Sequence, residues 1–380
     1  MTQTLSVYDP LFYAQEALIQ VEKALGMAGR VYRGYDKNPH QKGSVISIRV
    51  PSTFTSQNAP ATTANEIIAS EVQITLDQWK EVRFALTDKE LTYTGEQIIT
   101  DHIRPAAYAL ADTIDQALNA LYVKIPWVAD NSSPCAVGDI LSARKILFKN
   151  AVPLDDIHLQ LGPTQESEFL ALAAFSQSSG AGDVGVQTMQ RGGLGMKFGF
   201  ECFANQNVKS HTGGSCSDNA GAVDSGTTGY AIGATTIHCD GLESAGSVKI
   251  GDTVVFAGHT QRYAITADAT ATTGDIDLAI YPALKAAVAE DEVVTVTAGS
   301  KTEVGLAFHR NAFALAMAPL SELGGQLGAK IATVSDPRSG LSLRSRMWYD
   351  GTNSAVLVGI DVLYGVKCLD PNLACRLQDA

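Results

Sequence analysis

Val304-Gly305-Leu306-Ala307-Phe308-His309-Arg310-Asn311-Ala312-Phe313-Ala314-Leu315-Ala316 is where this chain changes from one kind of structure to another. Upstream, between Val208 and Ser300, strand-like runs recur at fairly even spacing. They are Thr235-Thr236-Ile237, Thr253-Val254-Val255-Phe256, Tyr263-Ala264-Ile265, Ile276-Asp277-Leu278-Ala279-Ile280 and Val293-Val294-Thr295-Val296. Turns rich in glycine, aspartate and threonine separate them, which predicts a small sandwich or barrel. From Val304 a mixed α/β pattern resumes. The β-module, 208–303, therefore reads as an insertion, and 304–380 as the return of its host. The closing strand is Ile360-Asp361-Val362-Leu363-Tyr364-Gly365-Val366.

Outward from the insertion, residues 135–207 alternate short helical and strand-like pieces. Ile140–Lys149 has a helical period with Leu141 and Leu147 apolar, Ile157–Leu161 reads as a buried strand, Glu166–Phe175 as a helix and Lys197–Phe203 as a strand. Ahead of them, in 91–134, Thr94-Gly95-Glu96-Gln97 forms a capping box. It opens a stripe of Ile99, Ile103, Ala107, Leu110, Ile114, Ala117 and Leu121 at spacings of three and four. Thr94–Tyr122 predicts a helix roughly 43 Å long at 1.5 Å per residue, with Pro105 kinking or dividing it.

Between 31 and 90 lie two alternating runs, Val45–Val50 and Val72–Asp77, the second continued by Val82, Phe84 and Leu86. The stretch from Pro51 to Ser70 is polar and too long for a tight hairpin turn. Two readings stand: an extended two-stranded arm with an exposed tip, or a hairpin packed on its own core. In residues 1–30, Leu11, Ala14, Leu18, Val21 and Leu25 form one apolar stripe of an amphipathic helix closed by Gly26 and Gly29. So short a helix needs a surface to lie on.

With 380 residues, 45% hydrophobic and 18% charged, the chain is a folded protein of two or three units. The net charge of −12 is uneven. From His211 to Ser300 there are 11 Asp and Glu against 3 Lys and Arg, or −8. An acidic balance argues against sequence-specific nucleic-acid binding and suits a container wall that packed DNA must not stick to. The six cysteines, at 135, 202, 216, 239, 368 and 375, form no CxxC pair and read as reduced thiols. No basic segment precedes an apolar core near Met1, and no apolar run reaches about 18 residues, so neither a signal peptide nor a membrane span is expected.

Candidate chemistry is sparse. Gly193-x-Gly195-x-x-x-Gly199 departs from the dinucleotide fingerprint and reads as a turn. Asp275 and Asp277 read as two wet-face residues of a strand rather than a cation site. His238, Cys239, His259 and Cys216 match no zinc spacing. Cys135 with His158, or His309 with Cys368, could pair as nucleophile and base only if the fold joined them. Asn131-Ser132-Ser133 is a glycosylation triplet without a secretory route. No catalytic residue, metal or cofactor is expected, and the chain is not read as an enzyme.

The order of these elements resembles the coat proteins of tailed bacteriophages, the HK97-type capsid fold in the P22 branch with its insertion domain. The resemblance rests on Gln73 to Leu121, where Val82-Arg83-Phe84-Ala85-Leu86-Thr87-Asp88-Lys89-Glu90-Leu91 runs into Ile103-Arg104-Pro105-Ala106, on Val304 to Leu320, and on Gly340 to Ala374. It implies an α+β fold with an N-terminal arm (1–30), an extended E-loop (31–90) and a spine helix in a peripheral domain (91–134). An axial domain (135–207), an inserted β-barrel (208–303) and an axial return with C-terminal peripheral strands (304–380) would follow. It implies a major capsid protein that self-assembles as hexamers and pentamers into an icosahedral head around double-stranded DNA, touched non-specifically. Scaffolding and portal proteins and a decoration protein are the further expected partners, with no membrane. The location would be the virion, after assembly in the bacterial host cytoplasm. Neighbouring copies are expected to order Leu11, Leu18, Val21, Leu25, Trp79 and Phe84. The rival readings are a nanocompartment (encapsulin-like) shell of the same fold and a cytosolic enzyme with a β-domain insert. A tail or adhesin protein with a glycan-binding β-module is a third, weakened by the insert's few aromatic residues.

Overall fold

The computed structural model describes residues 14–15, 17–19, 26–33, 45–50, 70–176, 192–216, 221–320, 322, 329–335 and 341–379. They fall into two compact units. The first draws on 14–19, on the segment up to Ile114 that begins at Arg33, and on Ala314–Leu369. The second draws on Gly26–Tyr32, Asp115–Phe313 and the residues after Asp370. The mixed α+β class is as expected, with many strands and few helices.

In the first unit, β1 (Val45–Val50) and β2 (Ser70–Thr75) form an antiparallel ladder with Ile46 opposite Ile74. Both isoleucines are buried, and with Leu76 they pack on Ala314 and Ala316. The run expected as one strand from Val72 to Leu86 is two. Leu76 and Asp77 interrupt it, and β3 (Gln78–Thr87) pairs with β20 (Ala355–Cys368), not with β1. β20 is the axis of a five-stranded sheet, which also holds β17 (Phe313–Ala318), β18 (Lys330–Ser335) and β19 (Ser342–Asp350). Gly365 of β20 is required: a Cβ there would collide with the Thr75 carbonyl of β2.

The long helix spans Asp88–Asn119, and a 3-10 turn, Ala120–Lys124, follows it. It starts six residues before the capping box, which therefore lies inside the helix. Asp88-Lys89-Glu90-Leu91 already has helical propensity, and an acidic first turn complements the helix dipole. Pro105 sits within a continuous helix with its side exposed, so it does not divide it. The buried stripe runs Ile103, Ala107, Leu110, Ile114 and then Leu118 and Tyr122, one position on from the expected Ala117 and Leu121.

The second unit contains a six-stranded sheet. Its order is β4 (Val128–Asn131), β21 (Ala374–Asp379), β16 (Val304–His309), β5 (Ile157–Leu161), β7 (Phe200–Ala204) and β6 (Met196–Lys197). β5 and β16 are buried along their full lengths. Helix Val137–Lys149 packs Ile140, Ala143 and Leu147 into the same core as Phe169, Phe200, Cys375 and Leu377. Leu141, expected on that face, is 44% exposed. The helix expected over Glu166–Phe175 is two pieces, Pro163–Ala171 and Ala173–Ser176. The strand expected over Lys197–Phe203 is the β6–β7 hairpin, turning at Phe198 and Gly199 with positive φ.

The expected small barrel is closed and six-stranded. Its order is β11 (Thr253–Phe256), β12 (Tyr263–Ile265), β14 (Ile276–Tyr281), β9 (Thr236–Asp240), β8 (Gly221–Val223) and β15 (Val293–Thr297), which returns to β11. β8 was not foreseen, being only three residues long and mostly alanine and glycine. Nor was the pair β10 (Ser247–Val248) and β13 (Ala269–Thr270). Alternate residues point inward: Val254 and Phe256, Ile276, Leu278 and Ile280, Val294 and Val296. At the neck, His211 and Lys301 exchange backbone hydrogen bonds of 2.9 and 2.8 Å, which brings the entering and leaving chains together.

Candidate assembly surface and buried polar clusters

β3 has β20 on one side and, among the described residues, no strand on the other. Lys80, Glu81 and Arg83 are exposed along it, the charges that discourage indiscriminate pairing of an edge. Trp79 stands out from it, 58% exposed. Its Nε1–H donates to Asp361 Oδ2 at 3.1 Å. Asp361 is fully buried on β20 and also accepts from Arg344, Nε at 3.0 Å and Nη2 at 2.5 Å. Arg346 lies 3.3 Å from the same carboxylate and donates to Glu81 at 2.7 Å. An exposed indole is thus fixed by a buried ion pair, which removes much of the entropy that ordering it on a partner would cost. The ring of Phe84 lies half-buried, 5.8 Å from that of His102. Asp361 is the lone acid of β20, and an acid within a mostly apolar strand is the sequence signal of a buried pair.

Of the other interface candidates, Leu18 is buried in a helical segment together with Ala14 and Ala17, and Ile19 is exposed. Leu11, Val21 and Leu25 lie outside the described residues.

In the second unit, a turn at residues 26–32 is held from several sides. Asp115, 2% exposed, accepts the Met27 N–H at 2.8 Å on one oxygen. Its other oxygen accepts the amides of Asn205 at 2.5 Å and Asn207 at 3.2 Å. Arg30 donates to Glu201 at 2.8 Å and lies over the Phe203 ring at 4.1 Å. Burial pushes the Glu201 carboxyl up, but the Arg30 guanidinium and the His158 ring together outweigh it and hold the group below its ordinary range. His158 sits 3.1 Å from the same carboxylate, and burial holds its imidazole below the usual value.

The barrel is joined to the sheet by a second buried cluster. His211 Nε2 meets Asp252 Oδ1 at 2.9 Å, and its Nδ1 meets the Tyr122 hydroxyl at 3.1 Å. Asp252 also accepts the N–H groups of Gly214 at 3.0 Å and Lys249 at 2.7 Å. Arg376 of β21 donates to the Gly251 carbonyl at 2.5 Å and lies over the Tyr122 ring. Burial brings its guanidinium down to about 10. These polar partners are far apart in sequence, which hid the cluster from sequence reading.

The sequence's chemical candidates are dispersed. Cys216 and Cys239 face the barrel core, whereas His238, one residue along the same strand, faces out and pairs with Asp277 at 2.8 Å. His259 is partnered by the Tyr263 hydroxyl at 3.1 Å. Asp275 lies in the turn before β14, its backbone bonded to Thr272. Burial, with a hydrogen bond to Glu168, pushes the Cys135 thiol up to about 12, which disfavours its thiolate. Asn131 is buried and donates to Cys135 Sγ at 2.8 Å. His158 instead meets Glu201, and His309 accepts from the Asn311 N–H. Among the described residues no three His, Cys, Asp or Glu could together hold a metal ion, and no helix is long and apolar enough to cross a membrane.

A chain from Mycobacterium phage Che8 superposes on this one with a TM-score of 0.52 at 14% identity, covering 93% of this chain and 90% of that one. The fold is one that a bacteriophage protein also adopts. The capsid structure of cyanophage P-SCSP1u is similar over 92% of this chain and 86% of its own, with 12% identity and a TM-score of 0.48. The virus-like particle from Pyrococcus furiosus is similar over 96% and 97%, with 8% identity and a TM-score of 0.41. Below 0.5, neither adds to the fold argument. No protein-family profile matches the chain, and no curated protein matches it in sequence.

Proposed function

We propose that this chain is the major coat protein of a tailed bacteriophage, a non-catalytic subunit that assembles with copies of itself into an icosahedral head around double-stranded DNA. The single observation carrying this reading is the likeness in fold to a phage chain over nearly the full length of both. The resemblance in residues at Gln73–Leu121, Val304–Leu320 and Gly340–Ala374 points the same way.

In this reading the finer architecture is HK97-type. Residues 1–30 form the N-terminal arm, 31–90 the E-loop, 91–134 the spine helix and peripheral domain, and 135–207 the axial domain. The barrel is the insertion, 208–303, and 304–380 returns to the axial and peripheral parts. Trp79 and Phe84 on β3, with Leu11, Val21 and Leu25 of the first helix, are the contact residues between copies; Leu18, buried within its own chain, is set apart from them. Hexamers and pentamers close because each heterologous contact fixes a rotation, and many weak contacts per subunit sum to a stable wall. Scaffolding and portal proteins would direct assembly in the host cytoplasm, and a decoration protein would bind outside.

Negative-stain microscopy and sedimentation of the purified chain test this. Round shells or capsomer rings are expected as concentration rises. A compact monomer at every concentration overturns it.

A further inference from the structure

A cleft of about 810 Å³ lies in the second unit, where the barrel's Thr260–Arg262 segment faces Trp127, Val128, Ile146 and Lys149. It carries two cations, Lys149 and Arg262, and no Asp or Glu among its lining residues. Neither cation has an ion-pair partner among the described residues. A third, the wholly buried Arg376, is close by: burial is what chiefly lowers its guanidinium, and the Arg262 charge adds to this. The wall also presents amides and an indole held in place. Trp127 Nε1–H donates to Asn372 Oδ1 at 2.9 Å, and Asn150 donates to the Asn372 carbonyl at 3.3 Å. A mixed cationic and apolar cleft in a chain of net charge −12 is a local inversion of sign.

The same chain displays the complement. The turn Glu290-Asp291-Glu292 is the densest run of acids in the insertion, and Val293 directly after it is 49% exposed. Glu290 accepts from the Ser225 and Gly229 N–H groups and Glu292 Oε2 accepts from the Ala289 N–H at 2.9 Å, while Asp291 is exposed on the turn and is the carboxylate that leads the contact. We propose that this cleft is a docking site for the acidic turn Glu290–Val293 of a second copy of the chain, carboxylates on Arg262 and Lys149 and Val293 against Trp127 and Val128. The proposal rests on the self-assembly reading and names one contact within it. A forked guanidinium suits a carboxylate, and the pair would be desolvated on docking. DNA is the disfavoured occupant, because a phosphate backbone offers the cleft's Trp127 and Val128 no apolar group, whereas the turn brings Val293 beside its carboxylates.

The test uses the full chain in two experiments. In the first, assembly of K149E/R262E is followed by light scattering against protein and salt concentration, with thermal melting to check the fold. Expected are an unchanged melt and an onset of assembly at about tenfold higher protein concentration, one decade for the loss of one strong contact. Adding D291K/E292K in the same chain restores the onset by exchanging the two charges. Unchanged onset and salt dependence in K149E/R262E overturn the proposal. In the second, a labelled peptide of residues 286–294 is titrated by fluorescence anisotropy against dilute, unassembled wild-type chain and against the single variant K149Q. This decides the matter if the double variant misfolds. Binding to wild type that weakens at least threefold in K149Q supports the site, whereas binding of a 20-base-pair duplex in place of the peptide overturns it. If wild type never assembles, the coat-protein reading fails while the peptide titration still decides the cleft.

Discussion

In the barrel every strand has two neighbours, because β15 returns to β11. In the sheet around β20, the ten-residue β3 has one neighbour among the described residues, and an exposed tryptophan stands on it. The barrel's stability is therefore internal: its hydrogen bonds are closed and its inner face is apolar. The sheet with β3 buries an ion pair, Arg344 with Asp361, and leaves an edge and an indole facing outward. A closed sheet can be appended to a host with little risk of stray pairing, whereas an open one suits an element that meets something else.

That contrast can be broken or sharpened by substitution. Phe256→Ala, deep in the barrel, is expected to cost about 3–5 kcal/mol. Hydrogen exchange should then show loss of protection in β8 to β15 with β19 and β20 still protected. Loss in both together would mean that the barrel is not an independent folding unit. Asp361→Ala is expected to cost about 3–5 kcal/mol by leaving Arg344 buried without its partner. Here denaturant melts should show the first unit failing and the barrel surviving. Trp79→Ala should cost only about 1 kcal/mol, the lost hydrogen bond to Asp361, because most of the indole is already exposed. The same variant should delay assembly far more than it lowers the melt, and equal effects on both would remove Trp79 from the interface.

Two smaller effects are read through pH. The hydroxyl of Ser225, with the N–H groups of Ser225, Gly226 and Gly229, holds the Glu290 carboxyl below its usual 4.5. The contribution is present above 4.5 and lost as pH falls through the lower folded value. Glu290→Gln should melt earlier than wild type at neutral pH, and the two melts should converge in acid. His238 is shifted the other way: its hydrogen bond to Asp277 raises it above 6.5. Its contribution is full below 6.5 and fades as pH rises through the folded value, so His238→Gln should differ from wild type at pH 6 more than at pH 8. The pair is largely exposed, so this is the smallest difference of the set.

How far each element could be read from sequence follows from the range of the force behind it. The barrel strands β11, β12, β14 and β15 were legible because side-chain alternation is local. β8 was not, because Gly221-Ala222-Val223 has no pattern and is a strand only by lying between β15 and β9. The helix start moved from Thr94 to Asp88 because a capping box is a local preference that flanking helical propensity can override. Leu141 and Ile140 were exchanged because both are apolar and only packing chooses the buried face.

By itself the sequence determined the class of the fold, the existence and place of the β-module and its excess of acid, because composition and short-range periodicity are properties of consecutive residues. Only the tertiary structure decided that Val72–Leu86 is split between two sheets, that Asp361 anchors Trp79, that Asp115 ties down the turn at Met27, and that Arg376, Tyr122, His211 and Asp252 meet at the neck. Each of these joins residues distant in the chain, and a buried polar group is stable only when a partner reaches it, wherever in the sequence that partner lies.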